Sequence, residues 1–197
     1  MRLDNKGKNY NDISNPKNHW CRIVMDEATK RIVSGLDYKN FNTLEISGGK
    51  WANFGFKSYK HVAYPNYDVC KDTLNEKFDL IIAEQVFEHL LFPNGAAKNI
   101  FSMLECGGYF LVTTPFLIKV HDGPFDCTRW TEIGIKYFLA ESGFPLENIR
   151  TGSWGNKKCV IENFEKWVEY DKKNHSLENE TEYPLVIWAL AKKSINL

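Results

Sequence analysis

Three short segments of this chain concentrate residue types that do chemistry. In Glu45-Ile46-Ser47-Gly48-Gly49 an acid stands just ahead of two glycines. Glycine lets backbone N–H groups come close to a ligand while the carboxylate stays beside it, although a plain tight turn reads the same way. In Glu84-Gln85-Val86-Phe87-Glu88-His89-Leu90 two acids and a histidine directly follow an apolar run. His89 there is either a general base or a buried, hydrogen-bonded residue of a helical turn. The third segment, His121-Asp122-Gly123-Pro124-Phe125-Asp126-Cys127-Thr128-Arg129-Trp130-Thr131, packs a candidate base, acids, a fixed cation and two aromatics together. Such a loop covers a bound substrate, or folds on itself with Asp126 paired to Arg129.

The surrounding pattern says which elements hold these segments. Asn15-Pro16 reads as a helix start, and Trp20, Ile23, Val24, Ala28, Ile32 and Val33 recur at helical spacing up to Ser34-Gly35. Residues 43–47 form a short buried strand running into the glycine turn, and an aromatic strand over 59–64 closes at Pro65-Asn66. The continuous apolar run 78–83 is that of a central parallel strand. Asn94-Gly95 caps a helix through Leu104, Gly107-Gly108 breaks it, and 109–114 is a strand. A loop over 115–130 follows, then a helix capped by Thr131 that carries Ile133, Ile135, Tyr137, Phe138 and Leu139 and stops at Ser142-Gly143. Strands near 148–151 and at 183–191 finish the chain, separated by a helix holding Phe164, Trp167 and Val168 and a charged turn over 171–182.

Strands alternating with helices argue for an α/β fold with a doubly wound, mainly parallel sheet and helices on both faces. Ligands in such sheets bind beyond the carboxyl ends of strands, so the residues to watch are 45–51, 64–68, 83–89 and 114–131.

The order of acidic strand end and glycine turn, Phe78-Asp79-Leu80-Ile81-Ile82, Val86-Phe87-Glu88-His89-Leu90 and Leu104-Glu105-Cys106-Gly107-Gly108-Tyr109-Phe110-Leu111-Val112 resembles class I S-adenosylmethionine (SAM)-dependent methyltransferases. The likeness runs from about Glu45 to about Phe144. The segment ending in Arg129-Trp130-Thr131, with Gly143-Phe144, is similar to small bacterial methyltransferases of sugar, polysaccharide or secondary-metabolite pathways. The resemblance implies a Rossmann-like sheet of seven strands whose last strand is antiparallel, with an N-terminal helical segment, 1–41, covering the cofactor site. It implies SAM as cofactor, the methionine part on Glu45, Ser47, Gly48 and Gly49, and Glu84, Gln85 and Val86 bordering it. No acid stands at the expected ribose edge after the second strand, only Tyr64 with Asp68 behind it. Ser47 and Trp51 stand where the family's first and third glycines usually sit, and the connection from the second strand to residue 78 is short. His121 or His89 is then the base that takes a hydroxyl proton, and Asp126, Arg129 and Trp130 bind the substrate. Trp20, Trp51 and Trp130 are the tryptophans expected to line the site.

Composition bounds the remainder. With 197 residues, one domain spanning 1–197 is expected. Lys plus Arg and Asp plus Glu each number 25, with no basic stripe, which disfavours a nucleic-acid substrate. The polar N-terminus has no signal-peptide core and no run crosses a bilayer, so a cytoplasmic protein with no membrane contact is expected. Five scattered cysteines without a CxxC pair read as reduced thiols, mostly buried. No clustered carboxylate motif is present, and no metal is expected. The expected reaction is methyl transfer to a small hydroxylated metabolite or sugar, oxygen favoured over nitrogen. The competing reading is a methyltransferase-like protein with weak or no catalysis that acts as a partner or scaffold. A nicotinamide oxidoreductase lacks its GxGxxG turn.

Overall fold

A computed structural model describes residues 18–121, 123 and 125–194. Its spine is a six-stranded sheet made of β1 (Asn42–Ile46), β2 (Ser58–Val62), β3 (Phe78–Glu84), β4 (Leu104–Pro115), β5 (Ile149–Trp154) and β6 (Val186–Lys192), in the order β2-β1-β3-β4-β6-β5. β1 to β4 are mutually parallel, and β6 runs antiparallel to both β4 and β5. This is the Rossmann-like, mainly parallel α/β architecture expected.

Helices lie on both faces because side chains alternate along each strand. Ile81, Phe110, Val112, Ile187 and Ala189 join one core cluster, which also holds Ala96, Ala97 and Ile100 of α2 (Pro93–Met103) and Ile135 and Leu139 of α3 (Glu132–Glu141). Leu80, Ile82 and Leu111 pack on the other face against Val33 of α1 (Trp20–Ser34) and Trp51. A third cluster joins Trp20 and Met25 of α1 to Trp154, Val186 and Cys159 of α4 (Lys157–Glu165). No helix among the described residues is long and apolar enough to cross a membrane.

Six strands among the described residues replace the seven expected. The stretch 63–77 spends its backbone on turns: Tyr67 N–H donates to Ala63 O, Lys71 and Asp72 N–H to Asp68 O, and Asp68 N–H to the Asp72 carboxylate. No further edge strand forms in it, and β2 is left as the edge, none of its residues fully buried.

Other boundaries shift for local reasons. α2 starts at Pro93, one residue ahead of Asn94, because proline suits the first helical position. Gly107-Gly108 does not break the chain but lies inside β4, where the register slips opposite Phe78 and Leu80. There Gly107 has φ +80° and a Cβ on Gly108 would stand 3.0 Å from Glu105 O. Asn156 caps the start of α4, accepting from Cys159 N–H, and the chain turns extended at Lys166, so the helix ends at Glu165, short of Trp167 and Val168. Thr131 caps α3 as expected, accepting from Gly134 N–H. The expected start of the first helix, Asn15-Pro16, lies outside the described residues. All five cysteines are free, and Cys21 and Cys159 alone are buried, fewer than expected.

Candidate active site

The carboxyl ends of β1 and β3 lie side by side, and each chain turns there through a left-handed residue: Ser47 at φ +64° and Gln85 at φ +55°. Such angles cost a non-glycine residue about 1–2 kcal/mol, so packing around them must hold them. Ser47 N–H donates to Val62 O at 2.7 Å. Gln85 N–H donates to Thr113 O at 2.9 Å and its side-chain amide to Thr113 Oγ1 at 3.0 Å. Two cavities open on either side of this pair, and both are lined by Ser47 and Gln85.

The first cavity, about 470 Å³, is charged: Arg22 and Asp26 of α1 face Glu45, Lys50 and Glu84 across it. Lys50 Nζ bridges Asp26 Oδ1 and Glu84 Oε2, each at 2.9 Å, tying α1 to the end of β3. The second, about 430 Å³, is lined by Tyr64, Asp68, Val69, Val86, His89 and Leu90 among others. Asp68 is paired with Lys71 at 3.0 Å, and that hydrogen bond holds its carboxyl below the usual range.

Eight of the nine residues expected to meet a cofactor line these cavities; Gly49 does not. Glu45 does so while serving the loop. Its carboxylate, buried beneath the turn, accepts from Gly49 N–H (2.9 Å), Lys50 N–H (3.1 Å), Trp51 N–H (3.0 Å) and Tyr59 Oη (2.5 Å). Gly48 is required by the same contact: at φ +84°, an added Cβ would lie 2.8 Å from Glu45 Oε1.

The three tryptophans expected at the site do not line either cavity. Trp20 and Trp51 are core residues, and Trp130 packs on Phe138 with ring centroids 5.0 Å apart. Trp51 fills space on the face opposite α2 and α3, against Phe54 and Phe56.

The loop after β4 folds on itself. Asp126 pairs with Arg129 through both guanidinium nitrogens, accepts from His121 N–H at 2.8 Å and lies 3.1 Å from His121 Nδ1. Burial works to raise the Asp126 carboxyl, but these donors, Arg129 first, hold it below the usual range. Arg129 is therefore paired within its own loop, the alternative that the sequence left open beside a substrate-binding role. Asp122 lies outside the described residues.

This loop is stitched to the turn after β3 by Cys127 N–H donating to Glu88 O at 2.7 Å. The stitch brings His121 to His89, ring centroids 5.1 Å apart. His89 Nδ1 contacts Phe125 O at 2.5 Å, so that nitrogen carries a proton. Glu88, 1% exposed, has no hydrogen-bond partner on either carboxyl oxygen among the described residues. Burial pushes its carboxyl up to about 8, against the pull of its own backbone N–H and of Arg129. Burial likewise lowers His121, with Asp126 opposing.

Sequence reasoning missed Glu88, Arg22, Asp26 and Lys50. Arg22 and Asp26 were signalled by i,i+4 spacing on α1, and Glu88 by a carboxylate set among Val86, Phe87, Leu90 and Leu91.

A family profile described as "Methyltransferase domain" matches residues 4–150 of the chain. The chain belongs to this family. Among curated proteins none matches it in sequence. Similar solved structures include an S-adenosylmethionine dependent methyltransferase from Mesorhizobium loti, with TM-score 0.57 and 12% identity over 85% of this chain and 97% of that one. A SAM dependent methyltransferase from Archaeoglobus fulgidus gives 0.55 and 13% over 86% and 94%. Phosphoethanolamine N-methyltransferase 2 from Haemonchus contortus, in complex with S-adenosyl-L-methionine, gives 0.55 and 10% over 85% and 52%. At these identities the likeness is one of fold. The residues present fit the SAM that the sequence leads one to expect. A glycine cradle that a Cβ would fill, a cavity with charges of both signs and a second cavity with apolar walls match a zwitterionic amino acid joined to a nucleoside.

Proposed function

We propose that this methyltransferase methylates a hydroxyl oxygen of a small metabolite or sugar, with His89 or His121 activating that hydroxyl. The observation that carries the reading is the meeting of two imidazoles and a buried carboxylate where His89 enters the wall of the second cavity. In this reading Arg22 receives the carboxylate of SAM, and its ammonium takes the place of Lys50 Nζ between Asp26 and Glu84. Ser47 and Gly48 floor that part of the site, Tyr64 and Asp68 serve the ribose, and Val86 and Leu90 wall the adenine. Bound there, SAM supplies a methyl group on cationic sulfur, open to direct displacement by a lone pair.

An amine in its free-base form attacks without help, whereas a hydroxyl must shed its proton as the new bond forms. A pair of imidazoles is thus better spent on oxygen than on nitrogen. The rest of the rate comes from alignment, worth up to about 7–11 kcal/mol in well-oriented systems. Arg22, Ile23 and Asp26 of α1, with Asn18 and His19 just ahead of it, wall the first cavity, which supports the N-terminal segment as its cover within one domain. Zero net charge without a basic stripe supports a small acceptor over a nucleic acid.

The test is release of S-adenosylhomocysteine across a panel of sugars, phenols, other hydroxylated metabolites and amines. Hydroxyl acceptors should turn over, and His89→Ala and His121→Ala should each lower kcat by about 10²-fold while calorimetric SAM affinity is kept. Turnover confined to amines overturns the oxygen reading.

A further inference from the structure

We propose that Glu88, His89 and His121 form a binding site for one divalent transition-metal ion, zinc or iron(II) in class, at the wall of the second cavity. The sequence reading expects no metal because no clustered carboxylate motif is present; packing of the loop after β4 onto the turn after β3 brings Glu88, His89 and His121 into one group. One ligand atom from each lies within 4.8 Å of the other two, and His89 Nε2 stands 3.7 Å from Glu88 Oε1. Ligands about 2.1 Å from an ion sit about 3.4 Å apart on a tetrahedron. Closure therefore asks for roughly 1 Å of movement, within reach of side-chain rotation.

Three further observations point to a cation. Both Glu88 carboxyl oxygens are buried without a donor among the described residues, a desolvated state that costs several kcal/mol unless something compensates it. His89 is oriented as metal-bound histidines are, its Nδ1 directed to the Phe125 carbonyl at 2.5 Å, while His121 Nδ1 lies 3.1 Å from the Asp126 carboxylate and 3.5 Å from Arg129 Nη2. In the neutral His89 ring that leaves Nε2 to carry the lone pair. Asp126 is itself fixed by Arg129, so the outer shell is already ordered. Two imidazoles with one carboxylate select zinc or iron over magnesium and calcium, which prefer oxygen ligands, and three protein ligands leave positions open.

An open position facing the cavity would take the acceptor's oxygen. Coordination would lower the hydroxyl's pKa, its proton passing to solvent as the metal–oxygen bond forms and the histidines acting as ligands rather than bases. This last step rests on the hydroxyl-acceptor reading; the metal site does not.

The test uses the full chain, stripped with chelator and titrated with Zn²⁺ by calorimetry and with Co²⁺ by visible absorption. The expected result is saturable binding of a single ion, with visible cobalt bands of a low-symmetry site. Glu88→Gln and His121→Asn should each weaken binding by more than about 10-fold, whereas replacing the exposed Cys106 and Cys127 by serine should not. Glu88→Gln keeps the shape and removes a buried charge, and a retained cooperative thermal transition in each variant separates lost ligation from lost fold. Absence of binding, or binding that survives both substitutions, overturns the proposal. SAM affinity measured on the stripped protein keeps this outcome apart from failure of the cofactor reading. Hydroxyl turnover indifferent to chelator overturns the catalytic role of the ion.

Discussion

Glu45→Gln probes what the acid of the glycine turn does. The carboxylate accepts four donors, Gly49 and Lys50 N–H on Oε1 and Trp51 N–H and Tyr59 Oη on Oε2. A glutamine has nearly the same shape but only one oxygen, so in either orientation two of the four donors face an NH₂ group. The less costly orientation keeps oxygen on the more buried pair, Trp51 and Tyr59, and turns the amide toward Gly49 and Lys50, which water partly reaches. A buried donor left unpaired costs about 1–3 kcal/mol, so two in a partly wet loop cost about 3 kcal/mol together. For a chain of this size that lowers Tm by roughly 6–12 °C. Because Gly48 and Gly49 are placed by the same contacts, SAM affinity should fall with stability. Tyr59→Phe removes one donor and leaves three, so it should cost about 1 kcal/mol and less affinity. Urea denaturation and calorimetric SAM titration of both variants measure the two effects. A Glu45→Gln loss under about 0.5 kcal/mol, or one no larger than that of Tyr59→Phe, would refute the loop-bracing role.

Two other outcomes follow from the same coordinates. A Cβ at Gly155 would stand 2.0 Å from Tyr183 O and 2.5 Å from Leu185 N, backbone atoms that cannot swing aside. Gly155→Ala should therefore abolish the cooperative unfolding transition, a loss beyond about 4 kcal/mol; a soluble variant of native Tm contradicts the packing described. Burial, with Arg22 second, lowers His19 from its ordinary 6.5 to about 4. A folded-state pKa below the unfolded one means that stability is fully present above pH 6.5 and is lost as pH falls from there through about 4. The His19 ring proton followed by NMR should titrate near 4, and a midpoint near 6.5 removes that contribution.

Much of the fold was legible because it follows from local pattern. The buried run of β3 reads as a central strand from its apolar continuity, and Thr131 reads as a cap from its side chain and position. The errors came where local pattern has two meanings. Gly107-Gly108 looks like a terminator but accommodates a register slip within one strand, and Trp51 looks like a site residue because it follows the glycine turn, although it packs into the core. The seventh strand came from the family likeness, and a short connection rich in turns removes it.

The candidate site divides along the same line. Sequence alone determined which strand ends carry the chemistry, since a glycine turn after a buried strand and polar residues after β3 are features of neighbouring residues. Tertiary structure alone decided what each side chain does there. The Glu45 carboxylate turned inward onto its own loop, Asp126 consumed the charge of Arg129, and Lys50 joined α1 to β3. Glu88 and His89 met His121 from the next strand's loop. Such pairings are set by sheet register and by how loops pack across adjacent strand ends. They join residues far apart in the chain, whose spacing in sequence has no period that a local pattern could register.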